Sequence, residues 1–368
     1  MTITHRLRRR LAGPRTDHEF SGARRHDREA LVRAVLLVRV FYLAIFFLDV
    51  ILSENWQRWL RTTSFALLWP LRFFQWTGPH VGVGIVVIGS LSSALLAAIL
   101  PERRIARVLA AMGLLLYGAL WNSFGIVMHG WHAWIWCAII FCFLPDLISN
   151  EQLYSRRREQ SYLRIFWIAQ ACVLFFYSLA GSFKLAGAVL QIAQGKHSAF
   201  SADALARHVV YAISEGSHHF AFGVGPWIAN HPALAQPFFL MAIYLESCSL
   251  VVAFRPRAHR VWGVFLICFH IGIFLSMEIL FSWQMLLVGI LLVCSPFDRA
   301  QWTLRERIAS LPLVAEALAL ARRIRNASCA HSSIVIELPP THATLPALAP
   351  PTMAPKAGLR LSGNGRGI

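Results

Sequence analysis

The residues best suited to chemistry are ionisable groups set inside apolar runs. Lys184 closes such a run, VLFFYSLAGSFKL (173–185), with no acidic residue near it in sequence. An ammonium at a membrane boundary must snorkel, find a counter-ion or give up its proton. In the last case it becomes an amine, which can act as a general base. His132 lies at the start of WHAWIWCAIIFCFLP, with His129 one helical turn before it. His270 stands in CFHIGIF and Glu246 in IYLESCSL. Imidazoles exchange protons near neutral pH, and a carboxylate can receive the charge of a protonated amine. Four such groups on spans four to seven could converge on one outward-opening cavity.

Each group also has a plainer reading. Lys184 could reach headgroup phosphates, and His132 could be an interfacial residue between Trp131 and Trp134. His270 could bridge helices, and Glu246 could be a protonated packing residue or an ion-pair partner. Asp49, Glu278 and Asn122 sit nearer span ends or carry less charge, so they rank lower. Histidines 197, 208, 218, 219 and 231 add ring nitrogens, but no HExxH spacing and no completing Cys or Asp set is present. No metal site is expected.

The elements that carry these groups are membrane helices. The chain is 57% hydrophobic and 14% charged, against about 25% charged in soluble domains. This composition gives an all-α, polytopic integral membrane bundle, and the expected partner is the lipid bilayer. Eight apolar runs approach the ~20 residues that a bilayer needs. They cover 31–52, 80–100, 104–126, 131–149, 162–184, 236–254, 259–280 and 282–297. Between the first two, SFALLWPLRFFQW (64–76) is too short to cross and reads as interfacial or re-entrant.

Most of the positive charge behind the net +17 lies outside those runs or close to their ends. Arg103, Arg104 and Arg107 separate spans two and three; Arg156–Arg158 separate four and five; Arg255, Arg257 and Arg260 separate six and seven. With eight crossings these segments, the N-terminal arm and the stretch after Asp298 all face one side. That side is cytoplasmic, with both termini inside. A nucleic-acid partner is not expected, because no basic patch is interleaved with a stacking platform.

The domain reading follows. Residues 1–30 form a basic, disordered arm, and 31–298 the transmembrane domain with an external loop at 185–235. In that loop Ser201 or Asp203 can cap a short amphipathic helix. Residues 299–325 form a cytoplasmic amphipathic segment broken at Pro312, and 326–368 a disordered, Pro-rich tail.

Four segments carry a family resemblance. FFYSLAGSFKL resembles a Y-x-x-A-G-x-x-K-L signature, and ALARHVVYA the segment that follows it. GWHAWIWCAIIFCFLP resembles a histidine segment, and FLICFHIGIFLSMEILFSWQMLLVGILLVCSPFD a late histidine-bearing span with its S-P-terminated last helix. Together they resemble the horizontally transferred transmembrane domain shared by vitamin K-dependent gamma-carboxylase and many bacterial proteins. The resemblance covers about 31–298. It implies a bacterial inner-membrane location and a carboxylase-like enzyme, of carbon–carbon lyase or oxidoreductase type. Lys184 would be the base that deprotonates a reduced, vitamin K-like quinone, helped by His132, His270 and Glu246. The substrate would be a protein or a small acidic molecule. Phe183 stands where the family has a second lysine, and the Trp-x-x-Gly pattern after the lysine is replaced by AGAVLQIAQGKHSAFS. These departures keep a second expectation open: a non-catalytic membrane scaffold or lipid-binding partner of an envelope protein.

Overall fold

The computed structural model describes residues 17–53, 66–123, 129–146, 156–215, 223–299 and 301–332. The rest of the basic arm, His218, His219 and the tail from 333 onward lie outside the described residues. The described chain is helical: α1 (Asp17–Ser53), α2 (Phe74–Thr77), α3 (Pro79–Ile99), α4 (Arg104–Asn122), α5 (His132–Phe141), α6 (Arg156–Ala193), α7 (Ala204–Glu215), α8 (Val224–Asn230), α9 (Pro232–Ala253), α10 (His259–Met277), α11 (Ser282–Val288), α12 (Leu304–Ile308) and α13 (Val314–Ser332). A π-helical turn, Gly289–Val293, extends α11.

Six of these helices are long and apolar enough to cross a membrane: α1 from Asp27, α3, α4, α6, α9, and α10 with its 3-10 lead from Pro256. In α1, Ala34, Val38, Phe41, Tyr42 and Ile45 are buried while Val32, Leu36, Phe47 and Ile51 are exposed. Both faces are therefore apolar. A helix of a soluble protein would turn polar residues outward, and apolar surface on this scale needs lipid.

The fourth and eighth expected spans are shorter. A 3-10 turn (His129–Trp131) precedes α5, which has ten residues, about 15 Å of rise. Its course is nevertheless fixed at both ends. Trp131 meets Tyr117 near the end of α4 (ring centroids 5.8 Å), while the carbonyl of Phe141 accepts from Arg107 Nε (2.9 Å) near the start of α4. α5 thus runs back along α4. The segment from Ser282 behaves alike. Gln284 donates to the Gly130 carbonyl at one end (3.3 Å), and Arg33 to the Asp298 carbonyl at the other (3.3 Å).

Three boundaries differ from the sequence reading. α1 begins at Asp17, inside the expected arm, and α13 runs to Ser332, inside the expected tail. α6 continues nine residues past Lys184 to Ala193, so this lysine lies within a helix rather than at its end. Residues 185–193, LAGAVLQIA, hold three alanines, two leucines and a glutamine, good helix formers that sustain α6 past the lysine. The expected break at Pro312 falls between α12 and α13, where Leu313 has φ 65°. In the described part of the stretch expected to be interfacial or re-entrant, Leu71 and Phe74 are buried and Trp69 and Trp76 exposed.

Arg107 also differs. The sequence reading made it a loop charge, but it is fully buried. Its guanidinium donates to the carbonyls of Phe141, Pro101 (2.6 Å) and Leu144, and sits 3.4 Å from Asp146. Helix C-termini leave carbonyls in want of donors: Phe141, the last residue of α5, accepts from the Leu144 N–H (3.1 Å) as well as from Arg107, and the Leu144 carbonyl just beyond accepts from Arg107.

α6 divides the bundle. Phe166 and Val173 belong to one apolar core with α1, α3, α4 and α5, whereas Leu174 belongs to another with α9 and α10. Adjacent residues on one helix thus face different cores.

Candidate functional site

The site grows from one stripe of α6. Tyr177, Gly181 and Lys184 are spaced four and three apart, so they share a face. Gly181 sets how closely that face approaches α9. A Cβ there would lie 2.5 Å from the Ser247 backbone nitrogen and 2.7 Å from Ser247 Oγ. One turn earlier, Ser178 Oγ accepts from the Leu250 backbone N–H (2.7 Å) and donates to the Ser247 carbonyl (3.2 Å). Small and hydroxylated residues let membrane helices approach and bond across the seam.

The close approach brings Lys184 to Glu246. Nζ lies 2.6 Å from both carboxylate oxygens. The Glu246 side chain is 6% exposed and that of Lys184 is 38% exposed. The carboxylate is therefore embedded and the amine is reached from outside the helix seam.

His270 of α10 joins from the third helix. Its Nε2 is 2.6 Å from the Tyr177 hydroxyl. Phe269 and Phe281 flank its ring at 5.1 and 5.2 Å between centroids. Tyr177 and Lys184 share one face of α6, so the Tyr177–His270 and Lys184–Glu246 pairs lie on one seam. Two buried atoms at this seam have no hydrogen-bond partner among the described residues: His270 Nδ1 and the Oγ of Ser247, the residue after Glu246. Leaving such an atom unpaired costs about 1–3 kcal/mol, so a hydrogen-bonding ligand there would recover it.

Trp262 Nε1 donates to Ser249 Oγ (2.9 Å), tying α10 to α9 beneath the site. The structure therefore brings Lys184, Glu246 and His270 together on α6, α9 and α10. His132 opens α5, half-buried, next to Trp131 and Trp134 of the first core. Trp134 Nε1 donates to the Trp283 carbonyl there (3.3 Å).

Two members escaped the sequence reading. Tyr177 carried a signal, its seven-residue offset from Lys184, which places both on one face. His208 of α7 was read only as a loop histidine. Its ring lies 5.1 Å from that of Phe239 on α9, and burial, then the charges of Lys184 and Arg207, hold its pKa below the usual 6.5. Only folding of α7 onto α9 reveals it. Among the described residues, no group of three or more His, Cys, Asp or Glu side chains is placed to hold a metal ion.

Compared with protein-family models, curated proteins and solved structures, the chain matches none of them.

Proposed function

We propose that the protein is a carboxylase-like membrane enzyme in which Lys184 deprotonates a quinol or another lipid-soluble hydroxyl compound. One observation carries the reading. An amine–carboxylate pair and a tyrosine–imidazole pair share a helix seam that leaves His270 Nδ1 and Ser247 Oγ buried and unpaired. In its base form the Lys184 amine takes the proton of the substrate hydroxyl. Glu246 then receives the resulting ammonium through both oxygens, the arrangement described above. The charge created on the substrate is thus matched within the site. His270 and Tyr177 orient the hydroxyl through the open ring nitrogen.

The wider setting belongs to the same proposal. Eight crossings place every arginine cluster at one end of the bundle, which the positive-inside rule makes cytoplasmic, together with both termini. The antiparallel course of α5 along α4 and of the last helix from Gly130 to Arg33 supports that count. The bilayer would be a bacterial inner membrane, and membership of the horizontally transferred transmembrane domain would follow from the segments quoted above.

The test uses the full chain in proteoliposomes with a reduced quinone. Quinolates react with dissolved oxygen faster than quinols, so quinol-dependent oxygen uptake reports deprotonation. Wild type should show uptake and Lys184→Ala should lose it; equal uptake removes Lys184 from the chemistry. A scaffold reading is favoured by the closure of the same ion pair, which clamps α6 to α9. It predicts no uptake in wild type and a lower Tm in Lys184→Ala.

A further inference from the structure

A second feature lies at the arginine-rich end of the bundle, away from Lys184. A cavity of about 470 Å³ opens beneath the junction of α9 and α10, within the ~300–1,000 Å³ of small-ligand sites. Arg255, Arg257 and Arg299 line it with one opposing acid, Asp27. Leu163 and Phe297 supply an apolar wall, and Trp302 adds an aromatic face to the lining.

The three guanidinium groups are not equally engaged. Arg255 pairs with Glu316 and donates to the Ser310 carbonyl (3.3 Å). Arg257 and Arg299 instead rest over the Trp302 ring, at 5.3 and 5.6 Å from its centroid. Neither is in an ion pair among the described residues. Arg257 feels the charge of Glu306 only at a distance, and Glu306 is itself bonded to Thr303. Asp298, next to Arg299, is turned to Arg307 (3.0 Å) and Arg260 (3.8 Å). A guanidinium held over an indole keeps its N–H edge for an acceptor. Two such edges with an apolar wall match a phosphodiester followed by a hydrocarbon chain.

We propose that this cavity binds the headgroup of an anionic phospholipid. The phosphate sits between Arg257 and Arg299, and the glycerol and first methylenes lie against Leu163 and Phe297. Basic pockets at the ends of membrane helices suit such headgroups. The apolar wall and the helix-end position favour a lipid over a free anion.

The test is native mass spectrometry of the detergent-purified full chain, titrated with phosphatidylglycerol and phosphatidylcholine. One phosphatidylglycerol should be retained at roughly tenfold lower concentration than phosphatidylcholine. Arg257→Gln with Arg299→Gln should remove that preference, and Asp27→Asn should strengthen it. Asp27→Asn also decides the matter if the double variant does not fold. Equal retention of the two lipids, a preference untouched by the arginine substitutions, or no gain with Asp27→Asn would overturn the proposal. Displacement of phosphatidylglycerol by millimolar inorganic phosphate would also overturn it, by making the site one for a free anion.

Discussion

Lys184 Nζ lies 2.6 Å from each carboxylate oxygen of Glu246, a bidentate contact between α6 and α9 across 62 residues of chain. The pair is held where Gly181 lets the two helices meet. The pair, the groups near it and the buried Arg107 of the other core give four predictions.

Breaking the pair on one side should cost more than removing it. Glu246→Gln leaves an ammonium beside a neutral amide, and Lys184→Met leaves an embedded carboxylate. Hydrogen bonds to charged groups contribute about 1.5–3 kcal/mol, and the partly exposed amine puts this pair toward the lower end. Each single variant should lower Tm, Lys184→Met more so because Glu246 is the more buried partner. Lys184→Met with Glu246→Leu should recover most of the loss, since replacing both partners is often near neutral. A double-mutant cycle on detergent-solubilised protein measures the coupling; additive losses would mean that the contact contributes nothing.

Gly181→Ala should force α6 and α9 apart. The obstacle is backbone, the Ser247 nitrogen 2.5 Å from the added Cβ, so no side-chain rotation relieves it. Overpacking of this kind costs about 1–3 kcal/mol. Gly187→Ala, on the same helix with open space around it, should be neutral or slightly stabilising through helix propensity. Thermal unfolding of the two variants in parallel separates packing from propensity.

Arg107→Lys should be destabilising although charge is conserved. A lysine cannot serve the Phe141, Pro101 and Leu144 carbonyls at once as the guanidinium does. Each buried carbonyl left without a donor costs about 1–3 kcal/mol. The loss should localise as faster amide exchange after α5, and uniform exchange across the chain would contradict the capping role.

His208 should make stability pH-dependent in a defined window. Its pKa in the fold is held below 6.5, first by burial and then by Lys184 and Arg207. The unfolded chain therefore binds a proton more readily than the fold between the folded value and 6.5. Stability is fully present above 6.5 and falls as the pH drops through that window toward the folded value. His208→Gln should flatten this part of the Tm–pH curve, as read by light-scattering or fluorescence melts. An unchanged slope would show that His208 is not the group titrating.

The membrane character of the long helices was legible because it depends on local composition. Apolar runs need ~20 residues to span, and α3, α4, α9 and α10 each lie within a few residues of the runs read from sequence. Ends were less legible. Nothing local stops α6 at Lys184, and its helix continues through alanine and leucine to Ala193. Arginine carries one charge whether it faces water or a buried carbonyl. Only neighbouring chain ends made Arg107 a capping group instead of a loop charge.

The sequence by itself determined the helical membrane class and the four ionisable groups worth watching, because hydropathy and charge belong to short stretches. Tertiary structure alone decided which groups meet. The Lys184–Glu246 contact depends on a helix approach permitted by one missing Cβ, and the Tyr177–His270 contact on the rotation of two helices about their axes. Distances of 2.6 Å between residues 62 and 93 positions apart are set by packing, which no local pattern encodes.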